Sequence, residues 1–337
     1  MSNDTLRRGD LVEVKSPGEV LATLDEHGAC EDLPFMPEMA ALCGQRFLVD
    51  GRAERICDTV QYSGTRNLPG TVLLTDLRCD GRAHGGCEAE CRFFWKETWL
   101  RKVEPGLPAS LPTSAHELRA LLERATHSAR RTIDVDGRPQ ERWRCQATEL
   151  PKASHHVRVL DARSYVKEYT TGNVGLGRFL RVTARAAVKE PMRKLGLIPD
   201  VHLPGKGKAA VPDPPLHLEP GELVQVKSKE EIAATLSAGG RNRGLWFDRE
   251  MMPFCGGTFR VRRRVRRIID ERDGRMIEMK NDCVTLEGAV CSGERSLMRW
   301  FCPRAIFPYW RECWLRRAEP VTASVPPPAR GLEAAGP

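Results

Sequence analysis

The chain has 337 residues, a formal net charge of +8 and 41% apolar residues. That length accommodates about two globular domains, and the composition excludes a fibrous or wholly disordered chain. No stretch approaches the roughly 18 apolar residues of a membrane-spanning helix, so no membrane role is expected.

The opening residues, MSNDTLRRGD, lack the apolar run of a secretory leader. A reducing, cytoplasmic setting is therefore expected. The twelve cysteines are then read as metal ligands, buried apolar groups or reactive thiols rather than disulfides.

In chain order, Leu11-Val12-Glu13-Val14 has the pattern of a half-buried strand. Ser16-Pro17-Gly18-Glu19 reads as a capping box, with Ser at N-cap, Pro next and Glu at the third helical position. The short helix it starts should end near Gly28. Strands are expected at Phe47-Leu48-Val49 and Thr71-Val72-Leu73-Leu74, and a tryptophan-bearing strand from Trp95 to Leu100.

Residues 105–113 are a linker by composition. Ser114 opens a helix carrying Leu118, Leu121, Leu122 and Ala125 on one face. Val135-Asp136-Gly137 marks a turn between two strands, with Trp143 and Cys145 on the second. His155 and His156 read as a surface loop. Asp161 caps a helix through Tyr165 and Val166. A further helix from about Leu176 to Glu190 has an apolar face of Leu176, Phe179, Leu180, Thr183 and Ala187. Arg178, Arg181, Arg185 and Lys189 line its other side as a basic stripe.

After a flexible linker at 199–218, the opening pattern returns. Gly9, Leu11, Val12, Val14, Lys15 and Ser16 reappear 212 residues later as Gly221, Leu223, Val224, Val226, Lys227 and Ser228. The same offset relates Phe35 to Phe247, Glu38-Met39 to Glu250-Met251, Cys43 to Cys255 and Cys79 to Cys291. A three-residue insertion then makes the offset 215, relating Cys87 to Cys302 and Trp95 and Trp99 to Trp310 and Trp314. Chance does not hold one register over so long a span, so the chain is an internal duplication. The expected order is a first copy at 5–104, a helical α+β middle at 105–198, the linker, a second copy at 219–320 and a disordered tail at 321–337.

The motif Gly-acidic-Leu-Val-x-Val at the head of each copy resembles the first strand of SH3-like barrels of the KOW and Tudor type. That resemblance implies an α+β, mainly β chain in which two small barrels flank the middle segment. The segments CDGRAHGGCEAECRFFWKETWL and CPRAIFPYWRECWL resemble a group of uncharacterised bacterial proteins, which implies no activity.

Three constellations bear on function. Cys43, Cys79, Cys87 and Cys91 make a four-thiolate set for a structural zinc ion, with His84 nearby and glycines that let the loop wrap closely. The second copy offers Cys255, Cys291 and Cys302 but has Ile306 where Cys91 stands. The alternatives for these thiols are buried apolar cysteines, an iron–sulfur cluster or a redox pair.

Arg260, Arg262, Arg264 and Arg266 share one face of a strand and, with the basic stripe, suit an anionic polymer or an acidic protein surface. Trp300, Phe307 and Tyr309 form an aromatic patch able to stack on a ligand. No P-loop, G-x-G-x-x-G, G-x-S-x-G or H-E-x-x-H motif occurs. The expectation is a non-enzymatic, zinc-stabilised scaffold, with a protein partner favoured over nucleic acid. The rival is an accessory enzyme using the first-copy cysteines as a metal or thiol centre.

Overall fold

The computed structural model describes residues 5–61, 64–106, 114–158, 161–197, 203–205, 214–295 and 299–318. The expected first linker from 107 onward, most of the second linker and the tail lie outside the described residues.

The first copy holds β1 (Leu11–Val14), β2 (Arg46–Arg52), β3 (Thr71–Leu74), β4 (Trp95–Lys96) and β5 (Leu100–Lys102) in one antiparallel sheet of order β4-β3-β2-β1-β5. The second copy holds β6 (Leu223–Val226), β7 (Thr258–Arg264), β8 (Cys283–Leu286), β9 (Trp310–Arg311) and β10 (Leu315–Arg317) in the order β9-β8-β7-β6-β10.

The registers coincide residue for residue. Val12 faces Phe47 and Lys102, while Val224 faces Phe259 and Arg317. The register shift between Val49 and Gly51 recurs between Val261 and Arg263. A bulge re-aims a strand locally, so its return at the matched position means that both copies follow one backbone path. The architecture is mixed α+β built on small antiparallel sheets. Among the described residues β4 and β5 do not pair with each other, nor do β9 and β10.

Each copy starts its helix by the same device. Ser16 and Glu19 cap α1 (Pro17–Leu21) reciprocally, and Ser228 and Glu231 cap a matching helix, Lys229–Thr235. The expected strand Trp95–Leu100 is broken by the 3-10 turn Glu97–Trp99, which lets both indoles enter the core. Trp95 and Trp99 meet Phe35 edge-on at 6.4 and 5.1 Å, and Trp310 and Trp314 meet Phe247 at 6.0 and 5.2 Å. Trp99 Nε1 donates to Thr23 and Trp314 Nε1 to Thr235, both at 3.0 Å. Truncating one of these fully buried indoles to alanine is worth roughly 3–5 kcal/mol.

The middle segment builds onto the first copy. α2 (Ala115–Ser128) and α3 (Gln146–Ala153) send Leu121, Ala125, Ala147 and Leu150 into the same core as Val12, Phe35 and Trp95. The hairpin Arg130–Val135/Arg138–Trp143 forms around Asp136-Gly137. Two local expectations change. His155 and His156 lie on a short strand, His155–Val157, paired with Thr65–Asn67 because that edge was open. Residues 216–218 are anchored in the second copy, their backbone N–H groups donating to the Glu312 carboxylate at 2.7–3.0 Å.

The two copies exchange contacts with a pseudo-two-fold relation. Ile269 N donates to Cys87 Sγ at 3.4 Å, and its counterpart Cys57 N donates to Cys302 Sγ at 3.2 Å. Thr59 and Glu271, themselves matched positions, hydrogen-bond each other across this junction.

Candidate metal centre and binding surfaces

The centre forms where the 3-10 turn Pro37–Leu42 meets the turn Arg82–His84. The second turn sits between Gly81 (φ +71°) and Gly85 (φ +65°). At Gly81 a Cβ would stand 1.9 Å from the Cys87 carbonyl oxygen, so only glycine allows the loop to fold back here. Backbone closure comes from Cys79 N, which donates to Cys91 O at 2.8 Å.

These turns bring donor atoms of Glu38, Cys79 and His84 within 4.8 Å of one another. His84 Nδ1 lies 2.9 Å from Glu38 Oε1, and Cys79 Sγ donates to that oxygen at 3.6 Å. His84 Nε2 faces the Arg144 carbonyl at 3.2 Å. A carbonyl oxygen only accepts, so Nε2 carries a proton and Nδ1 is the nitrogen turned to the centre. Burial alone would raise the Glu38 carboxyl, but the hydrogen bond and charge of His84 bring it below the ordinary carboxylate range.

Behind the triad lies a cavity of about 40 Å³, lined by Cys79, His84, Cys87, Cys91 and Cys145 among others. Burial pushes the thiols of Cys79, Cys87 and Cys91 up and that of Cys145 to about 12. Without a metal these sulfurs are protonated and poor nucleophiles at neutral pH.

The donors suit a borderline cation such as Zn²⁺, which takes sulfur, nitrogen and oxygen ligands. Glu38 Oε2 is buried with no hydrogen-bond partner, an orphaned acceptor beside the triad. The His84–carbonyl contact matches the outer-shell bond that orients a metal-ligating imidazole.

The cysteine set expected from sequence is changed at one corner. Cys79, Cys87 and Cys91 line the cavity, but Cys43 does not. Cys43 ends the 3-10 turn Pro37–Leu42 and packs in the apolar core, where burial pushes its thiol up to about 12. Cys145 comes to the cavity instead, because the strand ending at Trp143 stops short of it and delivers it as the N-cap of α3. Glu38 was not read as a ligand. No local motif marks it as a ligand, and its one sequence signal is a match to Glu250 in the second copy, which lacks the centre among its described residues.

That match has a structural meaning. Glu38 Oε1 accepts from Ala83 N at 3.2 Å, and Glu250 Oε1 accepts from the matched Arg295 N at 2.7 Å. Both carboxylates therefore clamp the same loop. In the second copy Ser292 also donates through N and Oγ to Glu250 Oε2, at 3.2 and 2.7 Å. The oxygen orphaned in the first copy is satisfied in the second. Cys255, Cys291 and Cys302 do not form a matching centre among the described residues. Cys255 caps the 3-10 turn Arg249–Phe254, and Cys302 turns to Cys57.

The arginine ladder is mostly engaged within the chain. Arg262 forms two bonds to Glu90, at 2.8 and 3.1 Å, and Arg264 pairs with Asp282 at 2.5 Å. Arg266 N donates to Glu88, and Arg260 Nη1 to the Gly221 carbonyl at 3.1 Å. Glu90 of the first copy's cysteine loop thus pairs the Arg262 side chain, and Asp282 pairs Arg264 from within the second copy.

The aromatic patch is also covered. Arg78 and Arg262 lie over Phe307 at 4.3 and 4.9 Å. Trp300 packs on Tyr165 at 6.1 Å, and burial pushes the Tyr309 hydroxyl up.

On α5 (Leu176–Lys194), Arg178 and Arg181 pair with Glu294 at 2.8 and 3.4 Å. Arg185 and Lys189 instead gather beside Arg295 and Arg193. Their like charges hold the Lys189 ammonium below its ordinary range, Arg185 most of all.

No described helix is long and apolar enough to cross a membrane. Compared with known proteins, the chain matches no family model, no curated protein and no solved structure.

Proposed function

We propose that the chain is a non-enzymatic binding protein of two SH3-like modules, the first tied together by one structural zinc ion. The observation that carries this reading is the convergence of Glu38, Cys79 and His84 beside an orphaned carboxylate oxygen and a thiol-lined cavity. Glu38, Cys79 and His84 would hold the ion. A fourth donor would come from Cys91 or Cys145, which line the same cavity as Cys79 and His84. A tetrahedral set closed by four protein ligands contributes folding energy and leaves no open position for substrate. The five-stranded order, with the first strand between the second and fifth, supports the SH3-like reading.

The partner surface is the Arg185, Lys189 and Arg295 cluster, where an acidic protein segment would relieve the repulsion among like charges. The quenched arginine ladder no longer supports a long phosphate-binding track.

The test is metal content of the purified full chain by mass spectrometry. One zinc per chain is expected, and none in Cys79→Ser or His84→Ala. Two per chain, or one that persists in both variants, would refute the site. For the surface, a poly-glutamate peptide and an oligonucleotide are titrated at low salt. Binding of the peptide, lost in Arg185→Glu/Lys189→Glu, is expected; oligonucleotide binding alone would reassign the partner.

A further inference from the structure

A second thiol group lies at the junction of the two copies, where Arg304 separates it from the cavity of the proposed metal centre. Cys57 and Cys302 are 4% and 6% exposed and come from positions 245 residues apart. Cys57 N donates to Cys302 Sγ at 3.2 Å. Arg304, also buried, brings its guanidinium to 3.9 Å from Cys57 Sγ. The same Nη1 donates to the Cys57 carbonyl at 3.1 Å and to Thr59 Oγ1 at 2.8 Å. Arg304 is further held by Glu271 at 3.3 Å. The cation therefore stays in place beside the sulfur.

The other side of the pseudo-two-fold junction acts as an internal control. There Ile269 stands at the position of Cys57 and donates its N–H to Cys87 Sγ, at 3.4 Å. An isoleucine fills that niche, so packing does not require a thiol at residue 57. What the thiol adds is a second sulfur against Cys302, with a fixed cation next to it.

We propose that Cys57 and Cys302 are a redox-active dithiol that hydrogen peroxide closes into a disulfide joining the two copies. The proton shared with Cys302 and the charges of Arg304 and Arg299 lower the Cys57 thiol against its burial, whereas burial first, and then the shared proton, raises Cys302. In the proposed step Cys57 attacks as the thiolate and Cys302 holds the proton. The Cys57 thiolate attacks a peroxide oxygen: an S–O bond forms, the O–O bond breaks and hydroxide leaves. That hydroxide takes the Cys302 proton and becomes water. The Cys302 sulfur then attacks the Cys57 sulfur: an S–S bond forms, the S–O bond breaks and a second hydroxide leaves. The two sulfurs lose two electrons and the peroxide gains them.

The test uses the full chain as purified. It is exposed to hydrogen peroxide, alkylated and digested with trypsin without reduction. Peptides 56–66 and 300–304 should appear linked, with two thiols lost per chain and both restored by dithiothreitol. Cys57→Ile copies the other side of the junction, so it should keep the wild-type melting profile while losing the linked peptide. The proposal is overturned if peptides 56–66 and 300–304 are recovered only as separate species. It is equally overturned if the linkage forms as fast in urea-unfolded chain as in native chain.

Discussion

Replacing Glu168 with glutamine should make the chain more stable in mild alkali while changing little in mild acid. Glu168 lies on α4 (Ala162–Thr170) and is fully buried. Its Oε2 accepts from Asn173 Nδ2 at 2.8 Å, and its Oε1 is buried without a partner. Burial pushes its carboxyl from 4.5 up to about 8, against the smaller opposing effects of Asn173 and Arg55. The folded state thus holds the proton more tightly than the unfolded chain. Stability from this group is complete below 4.5, falls as pH rises toward 8, and is flat above. At about 1.4 kcal/mol per pH unit the loss is on the order of 5 kcal/mol.

Glutamine has the shape of the protonated acid and does not titrate. Urea unfolding followed by tryptophan fluorescence, from pH 5 to 9, gives the difference between the two proteins, in which every other titrating group cancels. E168Q should match wild type near pH 5 and exceed it by roughly 2–5 kcal/mol near pH 9. Parallel curves across that range would refute the reasoning. The consequence is also positional: Asn173 bonds Arg52 N at 2.7 Å and Arg52 O at 3.1 Å. Asn173 thus joins Glu168 to β2.

Gly81→Ala should abolish metal retention, because a Cβ there would collide with the Cys87 carbonyl. Metal content and near-ultraviolet circular dichroism would report the loss, and normal loading would count against the loop geometry. Glu90→Gln and Arg262→Ala, alone and together, should show a coupling of at most about 1 kcal/mol in a double-mutant cycle, since the pair is partly exposed. A coupling several times larger would mean that this contact, rather than the apolar packing, joins the copies.

Both capping boxes and the Asp136-Gly137 hairpin were legible because each rests on short-range spacing, and the duplication because many positions keep one offset. The direction of α5 was less so. Its expected apolar face ran through Leu176, Leu180 and Phe179. The fold buries Val182 and Ala186 instead and stacks Phe179 on Phe301 at 5.7 Å, leaving Leu176 and Leu180 exposed. Helical period alone defines an apolar arc and leaves its centre open by a fraction of a turn. The quenching of Arg262 by Glu90 joins residues 172 apart, and no local pattern encodes such a contact.

Three cysteines match between the copies, a pattern that suits a shared structural role. Their environments separate them. Cys43 and Cys255 each end a 3-10 turn; Cys87 and Cys302 each accept an N–H from the opposite copy; Cys79 and Cys291 each donate an N–H to the same point of a loop, Cys91 O and Ile306 O. Matching therefore marks what the shared backbone needs from a small, polarisable side chain. The better witnesses for metal are groups with no counterpart in the second copy. These are His84, Cys91 and Cys145, together with the Glu38 oxygen that lacks the hydroxyl Ser292 gives to Glu250. A cation in the first copy would take the place of that hydroxyl, so one loop is closed by a hydrogen bond and its twin by a ligand bond. On this argument Asp80→Ser, which places a hydroxyl at the position matching Ser292, should weaken metal retention without unfolding the first copy.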